Sequence, residues 1–116
     1  MKEKRKPIPK KVREQIYEKY YGHCAYCGCE IEYKEMQVDH IKPVYLDGTD
    51  DMENYMPACR ACNFYKSTMS IERFREQVST INQRLEKEFI YRLAKKYGII
   101  HEEIKPIEFY FEKCED

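Results

Sequence analysis

Residues 24–66 decide how this chain folds, and their sequence is CAYCGCEIEYKEMQVDHIKPVYLDGTDDMENYMPACRACNFYK. The stretch begins with one CxxC pair, Cys24 and Cys27, and a second pair, Cys59 and Cys62, lies near its end. Each pair presents two sulfur atoms from one turn, and two such pairs can complete a tetrahedral four-thiolate zinc site. The 31 residues between the pairs (59 − 27 − 1) must fold back to bring them together. The spacing therefore predicts a structural zinc ion held by these four cysteines.

Disulfide bonds are the alternative explanation for these cysteines. They fit less well, because a separation of two residues is typical of metal and redox motifs and no secretory signal is visible. Six cysteines in such a chain favour a reducing compartment, so we expect the protein in the cytoplasm. Cys29 and Cys114 fall outside the pattern and are predicted to be free thiols, although Cys29 is close enough to Cys27 to compete as a zinc ligand.

The segment between the two pairs carries the groups that suggest catalysis. Residues 36–38 alternate as a strand does, and Asp39 and His40 follow them. Carboxylate and amide oxygens suit Mg²⁺ or a similar hard ion, which makes Asp39 and Asn63 candidate ligands. The imidazole of His40 can take a proton from water near neutral pH. Neighbouring side chains of a strand point to opposite faces, so Asp39 and His40 share one site only if the strand ends or bends there.

A plainer interpretation of the Asp-His pair stays open. Asp39 can cap a turn, and His40 can be a half-buried histidine of no chemical importance. For an isolated pair this would be the better explanation. The Asp-His pair lies between the two CxxC pairs. Asn54 follows it in the chain, and Asn63 comes directly after Cys62. This context favours the catalytic interpretation.

These motifs resemble those of the HNH endonucleases, the zinc-framed branch of the ββα-metal (His-Me finger) nucleases. The resemblance runs from Cys24 to about Lys66 and rests on CAYC, VDHIKPVYLDGTDDMENYMPAC and CRACNFYK. The third letter of the motif is often His in that family and is Asn63 here, which makes this the HNN form. That departure favours Mg²⁺ or Mn²⁺ over a transition metal as the catalytic ion.

The resemblance implies both a set of roles and a fold. Asp39 and Asn63 would bind the catalytic divalent ion. His40 would be the general base, and Asn54 would brace the loop and orient His40. The implied fold class is α+β: a small ββα-metal core with a four-cysteine zinc knot, an N-terminal helix, C-terminal helices and a final strand.

Charge is unevenly spread along a chain whose formal net charge is zero. Residues 1–13 contain seven basic residues and one acid, and residues 1–9 are predicted to form a flexible basic arm. Such an arm can contact DNA phosphates, or it can be solvated without a partner. Lys66 can steady a phosphate or be plain surface. The candidate substrate contacts beyond the arm are Lys10, Lys11, Arg60 and Lys66.

Periodicity predicts the elements around the motif. We expect a helix over 10–21 that stops at Gly22, a hairpin of strands 30–33 and 36–41, and a short strand over 55–58. A helix should open over 60–66. The acids of the loop between the strands, Asp47, Asp50 and Asp51, are predicted to serve turns and caps rather than to bind metal.

Two further patterns follow the motif. Ser70 is predicted to cap a helical stripe that continues to Gly98, as one long helix or with a break near residues 86–88. Alternation over residues 107–112 predicts the final strand, which can close the core or bind a protein partner. We expect residues 10–116 to form a single HNH nuclease domain, with its core motif at 24–66 and an extension over 70–113.

These features together predict a metal-dependent endonuclease that hydrolyses phosphodiester bonds of DNA. No apolar run approaches the roughly 20 residues of a membrane span, so no membrane partner is expected. Two other classes stay open: a zinc-stabilised DNA-binding module without catalysis, and a zinc-knot module for protein interaction. A homodimer is also open, because one site of this kind cuts one strand.

Overall fold

A computed structural model describes residues 7–114 of the chain. Residues 1–6, most of the predicted basic arm, lie outside the described residues. The chain divides into two compact units. One runs up to Thr68 and resumes at Phe109, and the other is Met69–Glu108. The single nuclease domain expected over residues 10–116 remains a prediction.

The first unit is built on a two-stranded antiparallel sheet. Strand β1 (Gln37–His40) pairs with strand β2 (Tyr55–Ala58), with Gln37 opposite Ala58 and His40 opposite Tyr55. All four residues of β2 are buried, whereas Asp39 is the buried residue of β1. The strands therefore bring the Asp-His pair against the segment that leads into the second cysteine pair.

The predicted hairpin partner of β1 is wrong. Residues 30–33 do not form a strand beside β1. Glu30 makes an isolated bridge to His23, and Tyr33–Glu35 is a short 3₁₀ turn. The N–H of Ile31 donates to the carbonyl of Gly22 instead. Local alternation suggested a tight hairpin, but the apolar strand β2, eighteen positions further on (55 − 37), supplies the pairing.

Helix α1 (Lys10–Glu18) packs on β2 and ends earlier than predicted. Tyr21 and Gly22 both have positive φ angles, 59° and 77°, which stop the helix before the glycine. Side chains of α1 tie down the following loop, since Arg13 donates to the carbonyl of Met36 (2.7 Å) and Tyr17 to that of Ile31 (2.6 Å).

Helix α2 (Arg60–Lys66) begins and ends where the sequence predicted. Its N-terminal cap is Cys59, whose Sγ accepts a hydrogen bond from the N–H of Cys62 at 3.4 Å. The helix packs against β1. The sheet and this helix form the ββα arrangement that the resemblance implied, and the α+β class is confirmed.

The predicted final strand is wrong as well. Residues 107–112 do not pair with the sheet. Tyr110–Lys113 forms a short helix, α6, shortly after the unit Met69–Glu108 ends. The N–H groups of Tyr110 and Phe111 donate to the carbonyls of Tyr26 and Ala25 at 3.0 and 2.8 Å. These bonds dock the segment on the first cysteine pair, where Phe109 is buried. Alternation correctly predicted that Phe109 is buried. It did not predict the helix that follows this residue.

The second unit contains helices α3 (Ile71–Ser79), α4 (Ile81–Leu85) and α5 (Phe89–Lys96). Ser70 caps α3 as predicted, with its Oγ accepting from the N–H of Arg73 at 3.2 Å. The helical stripe is interrupted at Thr80 and again after Leu85, so the alternative of one long helix is wrong. Over residues 7–114, no helix combines the length and the apolar character that a bilayer crossing requires.

Candidate metal centre and active site

The four cysteines of the two CxxC pairs come together as predicted. The Sγ atoms of Cys24, Cys27, Cys59 and Cys62 all lie within 4.8 Å of one another, and we call this group the four-cysteine knot. The Sγ atoms of Cys27 and Cys59 are 3.8 Å apart. A tetrahedral zinc ion with bonds of about 2.3 Å separates its sulfur ligands by about 3.8 Å, so the knot has the dimensions of a zinc site.

Backbone hydrogen bonds to sulfur shape both halves of the knot. The N–H of Tyr26 donates to Cys24, and the N–H of Cys62 donates to Cys59, each at 3.4 Å. Such donors stabilise a thiolate. A hydrogen bond with Cys62 lowers the pKa of Cys24, and the same bond raises the pKa of Cys62. A divalent ion bound by the knot would favour the ionised form of all four thiols.

Cys29 lies beside the knot but is not part of it. Among the described residues, the group within mutual ligand distance holds the four CxxC cysteines and not Cys29. Burial and the neighbouring thiols raise the pKa of Cys29 to about 12, which keeps it a protonated thiol. Its backbone carbonyl has a structural task, because it accepts the N–H of Cys24 at 2.8 Å.

The knot is attached directly to the sheet. The N–H of Ala25 donates to the carbonyl of Pro57 in β2 at 2.8 Å, and Cys59 directly follows the last residue of β2. The first cysteine pair, β2 and the start of α2 are thus one connected piece. A metal ion bound by the knot would hold that piece together, and β1 with it.

Asp39 is turned into the interior of the first unit. Only 6 % of it is exposed, and its Oδ2 accepts the hydroxyl of Tyr26 at 2.5 Å. The same oxygen lies 2.9 Å from the Nζ of Lys66. Burial, followed by the charge of Asp39, raises the pKa of Tyr26, so the phenol keeps its proton and stays a donor. Asp39 is therefore held by one neutral and one cationic donor.

Lys66 corrects the expectation of a surface lysine. Its side chain is fully buried, and its Nζ also donates to the carbonyl of His40 at 2.9 Å. Both described contacts of the ammonium are internal, and in this position it does not reach a phosphate at the surface. Lys66 thus bridges the carboxylate of Asp39 and the backbone of His40.

His40 points away from Asp39, as neighbours on a continuous strand must. Its ring is 17 % exposed, and Nε2 lies 2.7 Å from Oδ1 of Asp50. The ring also packs edge-on against Tyr55, its partner across the sheet, with 5.4 Å between centroids. Strand β1 ends at His40, so both residues lie at the end of the strand, and a site that they share stays a prediction.

Asn54 spans the loop that joins the two strands. Its Oδ1 accepts the N–H of Lys42 at 2.9 Å, and its Nδ2 donates to the carbonyls of Lys42 and Thr49 at 3.0 and 2.8 Å. The residue is 7 % exposed. These bonds close the loop that carries Asp50, the partner of His40, and the orienting role expected of Asn54 stays a prediction.

Asn63 lies in the first turn of α2 and is half-buried. Lys66 stands one turn further along this helix and reaches β1, so the helix places Asn63 near the strand of Asp39. Oxygen donors of this kind suit Mg²⁺ or Mn²⁺. The contacts of Asp39 to Tyr26 and Lys66 both use Oδ2.

The predicted substrate contacts apart from Lys66 lie at the surface. Arg60 is exposed at the start of α2, and Lys10 and Lys11 are exposed at the start of α1. These positions suit contact with phosphate, and each of the three stays a prediction.

Residues 24–68 match the HNH endonuclease family model. This match confirms the resemblance on the segment that carries it, from the first cysteine pair to just beyond α2. No curated protein shows significant similarity to the chain. The HNH segment thus combines a nuclease-type motif with a four-cysteine knot of zinc-site dimensions.

Three contacts in the HNH segment were missed from sequence. Tyr26 lies between two cysteines and gives no sign that its hydroxyl reaches Asp39. Asp50 was assigned to a turn, yet it pairs with His40. A sequence signal existed for Lys66, since a position three residues after Asn63 lies on the same helix face as that candidate ligand.

Proposed function

We propose that this protein is a metal-dependent endonuclease that hydrolyses phosphodiester bonds of DNA. The single observation that carries the proposal is the paired, partly exposed imidazole of His40 inside a segment that matches the HNH endonucleases. A histidine held by a carboxylate at the edge of a small sheet can accept a proton from water. The match supplies nucleic acid as the substrate class.

His40 acts as the general base in this proposal. It takes a proton from a water molecule, and the resulting hydroxide attacks the phosphorus atom. The bond from phosphorus to the leaving oxygen breaks, and that oxygen takes up a proton from solvent. The carboxylate of Asp50, 2.7 Å from Nε2, fixes the orientation of the ring and stabilises the imidazolium that forms. Asn54 positions Asp50 by closing the loop between the strands.

Asp39 and Asn63 are the residues that would hold Mg²⁺ or Mn²⁺. When bound, such an ion supplies positive charge that stabilises the developing charge on the phosphate and the leaving oxygen. Asn63 adds an amide oxygen from the first turn of α2, and Tyr26 and Lys66 hold the carboxylate of Asp39 in one position. This positioning reduces the reorganisation that the reaction requires.

Zinc in the four-cysteine knot has a structural role in this proposal. The knot joins the first cysteine pair to the start of α2 and lies outside the contacts of His40 and Asp50. Exposed Arg60, Lys10 and Lys11 are the proposed contacts to DNA phosphates. One site of this kind cuts one strand, so the expected first product is a nick.

The test is incubation of zinc-loaded protein with supercoiled plasmid, with and without Mg²⁺ or Mn²⁺. We expect nicking that depends on the divalent ion and falls to background in His40→Ala. The matched control is His101→Ala, an exposed histidine in the other unit, which should nick like the wild type. Equal nicking by His40→Ala with unchanged zinc content would exclude His40 as the base.

A zinc-stabilised DNA-binding module is the second candidate. The ion pair between Lys66 and Asp39 favours it, because that pair already neutralises the carboxylate expected to bind the catalytic ion. DNA binding at low salt without nicking under any tested ion would support this candidate. A cytoplasmic location and a homodimer stay predictions.

A further inference from the structure

The buried ammonium of Lys66 is the most unusual charge in the first unit. Lysine is almost never fully buried unless it is paired. Here its Nζ lies 2.9 Å from Oδ2 of Asp39 and 2.9 Å from the carbonyl oxygen of His40. Lys66 therefore contacts both residues of the Asp-His pair, although their side chains point to opposite faces of β1.

We propose that Lys66 is a resident cation that competes with the divalent ion for the charge of Asp39. This inference rests on the proposed function, because it concerns the same site. It assigns Lys66 the task of keeping the metal affinity of the free protein low. The residue acts through Asp39 and is a positioning residue, not one that contacts the substrate.

Charge counting supports this assignment. Asp39 is the anionic member of the proposed ligand pair, since Asn63 is neutral. With the ammonium of Lys66 at 2.9 Å, the carboxylate and the lysine together carry no net charge. A divalent cation bound by Asp39 would meet both the attraction of the carboxylate and the repulsion of the Lys66 ammonium. The site consequently lacks the negative charge that a tightly bound Mg²⁺ requires.

The surrounding contacts prevent Asp39 from turning away from Lys66. Tyr26 donates to the same Oδ2 at 2.5 Å, and the carboxylate is 94 % enclosed by protein (100 − 6). Lys66 is in turn anchored by the carbonyl of His40. A DNA phosphate is the anionic group of this reaction, and in this proposal it supplies the missing negative charge. Metal and DNA should then bind more tightly together than separately.

The test measures Mn²⁺ binding to the zinc-loaded full-length protein by the loss of the free-ion EPR signal. Lys66→Gln removes the charge but keeps a donor for Asp39 and for the carbonyl of His40. We expect it to tighten Mn²⁺ binding by about tenfold or more. The matched control is Lys42→Gln, which removes an exposed lysine from the adjacent loop and should change the affinity less than threefold. Equal or weaker Mn²⁺ binding by Lys66→Gln would overturn the proposal.

A double variant locates the gained affinity. Adding Asp39→Asn to Lys66→Gln should abolish the gain, and a gain that survives this change would place the ion elsewhere and refute the competition. The readout is binding of Mn²⁺ alone, so it does not depend on nicking. A protein that shows the affinity change but never nicks would refute the nuclease and leave the role of Lys66 standing.

A second measurement covers the case in which Lys66→Gln fails to fold. The ¹⁵N NMR signal of a buried lysine ammonium is protected from exchange and can be observed in the wild-type protein. We expect the Lys66 signal to shift when Mg²⁺ and a short DNA duplex are added to the His40→Ala variant, which binds without cleaving. A signal unchanged at saturating Mg²⁺ and DNA would show that Lys66 does not sense the ion.

Discussion

The hydroxyl of Tyr26 donates a 2.5 Å hydrogen bond to Oδ2 of Asp39 and so joins the first cysteine pair to strand β1. Tyr26 is the third residue of the CAYC motif, between two members of the four-cysteine knot. The proposed metal ligand is thus connected to the proposed zinc site through one side chain. A substitution at the knot can therefore shift the side chain of Asp39 even when the sequence of β1 is unaltered.

Replacing Tyr26 with Phe should destabilise the first unit by about 1.5–3 kcal/mol, because the buried carboxylate of Asp39 loses one of its donors. Urea unfolding of the zinc-loaded protein measures this difference. The control is Tyr45→Phe, which removes an exposed hydroxyl from the same unit and should leave the unfolding midpoint unchanged. Identical midpoints for the two variants would contradict a supporting role for the Tyr26 hydroxyl.

Replacing Cys59 with Ser should release zinc and unfold the first unit, since Cys59 both belongs to the knot and caps α2. Zinc content by mass spectrometry and far-UV circular dichroism measure the two effects. Cys29→Ser is the matched control, because this thiol lies beside the knot but outside the ligand group, and it should retain one zinc ion. A folded, fully active Cys59→Ser protein without zinc would disprove the structural role of the metal.

Replacing Asp50 with Asn should lower the nicking rate about 10- to 100-fold, because the partner of His40 loses its charge while keeping its shape. The assay is single-turnover nicking of supercoiled plasmid at saturating Mg²⁺. Asp47→Asn makes the same change at another exposed acid of the loop and should leave the rate unchanged. If both variants nick at the wild-type rate, Asp50 does not assist the base.

Replacing Gly28 with Ala should destabilise the protein more than replacing Gly98 with Ala. Both glycines have positive φ, 82° and 74°, so either alanine strains the backbone by about 1–2 kcal/mol. A Cβ on Gly28 would in addition lie 2.9 Å from the ring of Tyr110, whereas nothing lies within 4 Å of one on Gly98. Thermal unfolding compares the two. Equal losses would show that Tyr110 yields freely and that α6 is loosely docked.

Sequence patterns predicted the parts of this fold that depend on local chemistry. The CxxC spacing identified the four sulfurs that meet, and helix α2 was predicted with its observed ends directly after Cys59. Ser70 was recognised as the cap of α3 from its residue type and the acidic first turn that follows it. Each of these features is decided within a few residues, so the local sequence contains the information.

The errors concern contacts between distant segments. Strand β1 was given the nearer partner, residues 30–33, because alternation says which face is buried but not which strand pairs. The segment after Phe109 was predicted to be a strand. It instead forms helix α6, whose first N–H groups donate to the carbonyls of Tyr26 and Ala25. Lys66 was expected either to steady a phosphate or to be plain surface, whereas the structure buries it beside the carboxylate of Asp39.

The discontinuity of the first unit has a consequence for how the protein acquires its structure. The ring of Phe109 packs edge-on against Tyr26 at 5.5 Å, across 83 positions of the chain (109 − 26). Closing so long a loop costs conformational entropy, and contacts of this separation tend to form late. The knot and sheet can therefore assemble first, with Tyr26 still uncovered. Proteolysis between residues 101 and 108 would then arrest the core in that incomplete state, although every residue of the HNH segment remained intact.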